Sequence, residues 1–310
     1  MTEPSPRPTG ALERFRQGQR GMKAMDNYKG MAWMTLAMLG FALADTFIKL
    51  TLGALPVGQV IAVFGFGGAA IFGLWAKARG ERVMDRKLFT RAFVLRLVFE
   101  VFGTVCFVMA LSLIDLSLLS AIIQANPLLV TLGAALFLGQ RVGWRRWVAI
   151  LIGLVGVLII VRPGMAGFEA ASLLGIGATF GLVGRDLATR AIPQTISTLL
   201  LAAWGFLAAG IAGLGILLVQ GGAVWPDAVL TLQLTGALLC ALVAYYAVTA
   251  AMRVGEIAAV TPFRYTRLVF AMALAFFIFG ERPDAWTLIG AAIVISTGLY
   301  TLFRERAVAA

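Results

Sequence analysis

The groups in this sequence whose types and spacing could do chemistry are polar and charged side chains inside long apolar runs. Arg264, Tyr265 and Arg267 share one such run, with the two arginines at i and i+3, neighbouring positions on one helix. Two guanidinium groups together would attract a carboxylate, a phosphate or a planar electron-rich ring. Gln124 and Asn126 add hydrogen-bonding groups in an earlier run. An ionisable side chain inside hydrocarbon costs at least about 2.5 kcal/mol, so such residues tend to face a bundle interior or a water-filled cavity. Arg267, Tyr265, Arg264, Gln124 and Asn126 are therefore the candidate substrate-binding residues. The competing reading has Arg264 snorkelling to an interface while Gln124 and Asn126 tie helices together.

A second set suits coupling or gating. Arg96 and Glu100 stand at i and i+4, where pairing lowers the cost of burying either; Glu100, nearer the middle of its run, could instead trade that salt bridge for a proton. Asp45 with Lys49, and Asp186 with Arg190, repeat an Asp-x-x-x-basic pattern. Placed toward opposite ends of their spans, these pairs would suit two gates, or Lys49 and Arg190 would simply anchor helix ends.

Other chemistries are disfavoured. There is no His, and Cys106 and Cys240 stand alone in apolar runs, so neither a Cys/His metal site nor a disulfide framework is expected. The Gly65-Phe66-Gly67-Gly68 stretch lacks the strand and Lys of a nucleotide loop and reads as close helix packing. No Gly-x-Ser-x-Gly is present, which argues against an intramembrane hydrolase. No cofactor is expected.

The elements that must position these residues are membrane spans. The 310 residues are 60% hydrophobic and 13% charged, too apolar for a single soluble core. Windows of about 20 apolar residues recur throughout, each long enough to cross the bilayer as a helix. Ten spans are expected near 31–50, 57–76, 92–113, 116–138, 147–161, 170–190, 196–219, 230–252, 257–279 and 285–303. The net charge of +11 resides mainly between spans, so it orients the chain and does not signal nucleic acid. Lys77, Arg79, Arg82, Arg86, Lys87, Arg91, Arg141, Arg145, Arg146 and Arg253 would lie on one side, and only Arg162 and Arg282 on the other. That asymmetry predicts both termini in the cytoplasm. Residues 1–29 read as a disordered basic tail retained on the first span, and residues 305–310 as a second tail.

Shifting the chain by 141 residues, the separation of Gln124 and Tyr265, lays Gly139-Gln140-Arg141 on Gly280-Glu281-Arg282. The same shift lays Asp45 on Asp186 and Lys49 on Arg190. A five-plus-five duplication follows, residues 30–163 and 164–304. Five is odd, so the second copy would lie inverted, as in many secondary transporters.

On Asn126-Pro127-Leu128, Leu138-Gly139-Gln140-Arg141 and Gly153 to Gly156, then Phe279-Gly280-Glu281-Arg282 and Gly290, the sequence resembles the EamA-type, ten-helix members of the drug/metabolite transporter superfamily. Two positions depart from that pattern: Gln140 stands where Glu is usual, and Leu268, the mate of Pro127, is not proline. The resemblance implies an all-α integral membrane protein of a bacterial inner membrane that moves a small organic metabolite by alternating access. Amino acids, riboflavin-like vitamins and S-adenosylmethionine-like compounds are the implied substrates, with a proton or counter-substrate as partner. Cavity arginines would favour an anionic group, while Tyr245, Tyr246 and Tyr265 would stack a flat heterocycle. A receptor or accessory subunit that binds without transport is the alternative, and an intramembrane enzyme the remotest.

Overall fold

A computed structural model describes residues 10–309 except 85–87, 89, 140–142, 166–167, 194 and 255–259, and side chains from Asp26 onward except 253 and 302–309. Gln140 and Arg141 of the first motif lie outside the described residues. In hydrocarbon every backbone N–H and C=O must be paired within the chain, so the apolar runs become helices. These are α1 (Gly10–Thr51), α2 (Val57–Ala78), α3 (Arg91–Leu113), α4 (Leu116–Ile123), α5 (Asn126–Phe137), α6 (Trp144–Val161), α7 (Ser172–Arg190), α8 (Thr198–Gln220) and α9 (Ala228–Val254). A 3₁₀ turn (Thr261–Tyr265), α10 (Thr266–Phe279) and α11 (Ala285–Ala309) complete the chain.

All ten expected spans coincide with helices, and eight of them are long and apolar enough to cross a membrane. The other two are α7, diluted by Arg185, Asp186 and Arg190, and the shorter apolar stretch Ala285–Thr301 of α11. The protein is a multi-pass, all-α membrane protein. One expectation changes: the backbone of residues 10–29, read as disordered, is helical and continuous with α1. The prolines at positions 4, 6 and 8 end before this segment, and Leu, Glu, Arg, Gln, Lys, Met and Ala within it all favour helix.

Two spans are interrupted. The fourth breaks between α4 and α5, where Pro127 sits in the first turn of α5 and its missing N–H removes no intrahelical bond. The ninth breaks at the 3₁₀ turn that Pro262 opens, although Leu268 is not proline. Gln124 in the first break and Tyr265 in the second are 141 positions apart and touch: the Gln124 amide donates to the Tyr265 carbonyl at 3.2 Å.

Helices pair across the two halves of the chain. The extensive contacts are α1 with α9, α2 with α8, α3 with α7, and α6 with α11. Small residues carry the crossings, since bilayer helices approach by packing and not by hydrophobic exclusion. A Cβ at Gly40 would lie 2.9 Å from that of Ala244, and one at Gly103 would lie 3.2 Å from Gly181. Moving Gly40 forward and Ala244 back by 141 residues turns the first pair into the second. The same operation turns Gly153–Thr297 into Val294–Gly156, which also pack together.

Interhelical bonds define two faces of the bundle. At the first, Arg162 pairs with Asp284 at 2.6 Å, and the Val224 amide donates to Gln59 at 2.9 Å. At the second, the Ser197 hydroxyl donates to Glu81, and the Trp204 indole donates to the Val83 carbonyl at 3.0 Å.

Candidate functional site

A cavity of about 210 Å³ lies inside the bundle between α1, α2, α3, α7, α8, α9 and α10. Its charged lining is Asp45, Glu100, Arg185 and Arg267, and Phe41, Phe64, Phe107 and Phe206 give it aromatic walls. The interrupted span presents Arg267 one residue into α10, where its Nη2 meets Asp45 Oδ2 at 2.6 Å and its guanidinium lies 5.5 Å from the Phe41 ring centre. Glu100 is shared: Arg96 Nη2 is 3.2 Å from one oxygen and Arg185 Nη1 3.4 Å from the other. Arg185 also pairs with Asp186 at 2.9 Å, and Asn126 Nδ2 donates to the far oxygen of Asp186 at 3.4 Å. Arg96 Nε reaches the Thr189 hydroxyl at 3.2 Å.

Buried charges survive only when paired and hydrogen-bonded. Each cavity arginine already holds a carboxylate, and the two acids and two bases of the lining cancel. The site therefore does not offer the free guanidinium fork expected from Arg264 and Arg267. The Asp45–Arg267 pair also has a counterpart: the 141-residue exchange turns it into Asp186–Asn126, the other observed pair.

The model of the EamA-like transporter family matches residues 28–162 and again residues 170–303. The chain belongs to this family. It is 31% identical over 283 residues to a riboflavin transporter of Rhizobium johnstonii, covering 89% of this chain and 91% of that one. It is 25% identical over 295 residues to an S-adenosylmethionine uptake transporter of Rickettsia bellii, covering 89% and 93%. A solved crystal structure superimposes with a TM-score of 0.59 at 20% identity, covering 89% of this chain and 98% of that chain, which shows a shared fold.

Within this EamA-like chain, only some expected site residues meet at the cavity. Arg267, Asp45 and Glu100 line it, and Arg96 and Asp186 stand directly behind its charges. Tyr265 is buried, but its hydroxyl points at Gly298 of α11, where a Cβ would overlap it, and finds no hydrogen-bond partner. Gln124 spends its amide on the Tyr265 carbonyl, so these two residues join the interrupted spans. Arg264, in the 3₁₀ turn, is exposed and does not line the cavity, although it lies in electrostatic range of Asp186, Arg185 and Arg267.

The two i, i+4 pairings are not the ones formed. Asp45 faces Arg267 in the bundle interior, whereas Lys49, one turn nearer the first face, pairs with Glu281 at 3.0 Å and donates to the Ile114 carbonyl at 2.8 Å. Asp186 takes its neighbour Arg185, and Arg190 is exposed at the end of α7. The Arg96–Glu100 pairing forms as expected, with Arg185 as an additional partner. Sequence reasoning missed Arg185. Its signal was a third charge in the sixth apolar run, hidden because the Asp-x-x-x-basic pattern assigned Asp186 to Arg190. The cavity phenylalanines carried no signal among the 21 in the chain.

Above the cavity, Glu281 forms a latch at the first face. Its carboxylate accepts from the Leu116 and Ser117 amides, both at 3.0 Å, and from the Ser117 hydroxyl at 2.9 Å. Negative charge at the start of α4 is also favoured by the helix dipole. Burial alone would raise the Glu281 pKa, but the two amides and Lys49 outweigh it and hold the carboxyl below its ordinary 4.5. Nearby, burial and the Glu281 charge push Asp115 up, with Lys49 opposing.

Proposed function

We propose that the chain is a secondary transporter that carries a small, flat, uncharged or zwitterionic metabolite, of which riboflavin is the best example, by alternating access through the central cavity. The observation that carries this reading is the charge-balanced, phenylalanine-walled cavity. Paired charges present donors and acceptors to the edges of a heterocycle, and the rings accept its faces. A net anion would leave a carboxylate of the lining uncompensated. The relative named a riboflavin transporter supports the same chemistry.

The halves 30–163 and 164–304 act as inverted repeats around this cavity. The paired family match and the contacts exchanged by the 141-residue shift support that arrangement. Loop charge supports a chain with both termini in the cytoplasm of a bacterial inner membrane and the first face outside. At about 210 Å³ the cavity is smaller than sites that bury a drug-sized ligand, so loading requires the helices to part. Glu100, shared between Arg96 and Arg185, is positioned to exchange a cationic partner for a proton or for a group of a counter-substrate.

Counterflow in proteoliposomes tests the reading. Vesicles preloaded with unlabelled riboflavin should accumulate labelled riboflavin, and Arg267→Ala, reconstituted as folded protein at the same density, should abolish this. Riboflavin that binds but never accumulates would favour a receptor. Full counterflow by Arg267→Ala would remove the cavity from the pathway.

A further inference from the structure

We infer that the second face carries a separate loading site for a flat heteroaromatic molecule, built on Trp75, Tyr245 and Tyr246 and joined to the central cavity by a file of aromatic rings. The inference rests on the reading of that cavity as the transport site. A pocket of about 100 Å³ opens at this face between α2, α8 and α9. The rings of Trp75 and Tyr246 form its wall, nearly parallel at 27° with centroids 6.3 Å apart, and Tyr246 is half exposed.

The rim supplies both kinds of hydrogen-bonding partner. The Arg79 guanidinium, 5.5 Å from the Trp75 ring centre, offers donors, and the Glu81 carboxylate, already accepting from Ser197, offers an acceptor. A heterocycle with carbonyl oxygens on one edge and an N–H on another matches that rim, with its face against the aromatic wall. At about 100 Å³ the pocket holds only part of a fused-ring guest, so the rest would remain in water, as suits a site that must pass its ligand on.

The connection inward is continuous. Tyr245 lies at the back of the pocket, held by a 2.8 Å hydrogen bond from its hydroxyl to the Thr198 carbonyl. Its ring meets Phe72 with centroids 4.8 Å apart, Phe72 stacks on Phe206 at 5.4 Å, and Phe206 meets Phe64 at 5.5 Å. Phe206 and Phe64 line the central cavity. These rings touch one another and Phe72 is buried, so a flat ligand would cross from the pocket to the cavity when α2 and α8 part and its face replaces a neighbouring ring.

Riboflavin binding to the full-length protein in lipid nanodiscs, followed by tryptophan quenching against empty nanodiscs, tests this. The wild type should show a tight phase and a weak phase. Arg267→Ala should lose the tight phase and keep the weak one. Tyr246→Ala, at a half-exposed position, should weaken the weak phase at least tenfold and leave the tight phase intact; Tyr246→Phe, which keeps the ring, should restore it. A weak phase indifferent to Tyr246→Ala, or no weak phase at all, would overturn the loading site. A weak phase that behaves as described without any tight phase would keep the loading site and overturn the central cavity as the riboflavin site.

Discussion

Glu281→Gln should open the first face. The side chain is 6% exposed and accepts three hydrogen bonds in addition to its ion pair with Lys49. Gln has nearly the same shape, but its amide nitrogen faces a donor and its oxygen carries no charge. A hydrogen bond to a charged group contributes about 1.5–3 kcal/mol and a neutral one about 0.5–1.5. Converting or losing these bonds, with Lys49 left unpaired, removes roughly 2–4 kcal/mol from the closed arrangement. That corresponds to about 30- to 1,000-fold in the closing equilibrium.

The assay is labelling of Ile48→Cys, a cavity residue, by a membrane-impermeant maleimide applied to the first face of a chain lacking Cys106 and Cys240. The Glu281→Gln variant should label at least about 30-fold faster. The pH dependence has a definite sign: a carboxyl held below 4.5 when folded stabilises the latch above that value and loses this contribution as pH falls through its folded pKa. Thiolate falls about tenfold per pH unit, so the readout is the ratio of the two labelling rates at each pH: Glu281→Gln over the otherwise wild-type chain should be constant near neutrality and fall toward one only in acid below 4.5. Equal labelling of the two proteins at neutral pH would refute the latch.

Three further outcomes are expected. Removing either Asp45 or Arg267 leaves a buried charge unpaired and should cost about 3–5 kcal/mol, whereas the double variant Asp45→Asn/Arg267→Gln should recover part of that loss in a thermal-unfolding cycle. Tyr265→Phe deletes a buried hydroxyl without a protein partner, so both melting temperature and transport should match the wild type. Gly65→Val drives a side chain into the Gly210 backbone and should lower the yield of folded protein, while Gly73→Val, with nothing within 4 Å, should be tolerated.

The spans were legible because hydrocarbon leaves the backbone few options, and all ten apolar runs became helices. The break in the ninth span was harder to read, since Leu268, the mate of Pro127, is not proline and the 3₁₀ turn opens instead at Pro262, earlier in the run. Charge pairing was legible only where both partners share one helix face, as Arg96 and Glu100 do. Asp45 found Arg267 across 222 residues of sequence, a partnership that local spacing cannot announce. The 141-residue shift held that information in another form: it places Asp45 and Arg267 opposite Asp186 and Asn126, and both pairs exist.

Charge selectivity tests the central claim most directly. Proteoliposomes containing the purified protein should take up riboflavin saturably and discriminate strongly against its phosphorylated form, because a cavity whose charges already cancel has no compensation for a net anion. Uptake of the phosphorylated form at an equal or higher rate, or no uptake of riboflavin, would contradict the account.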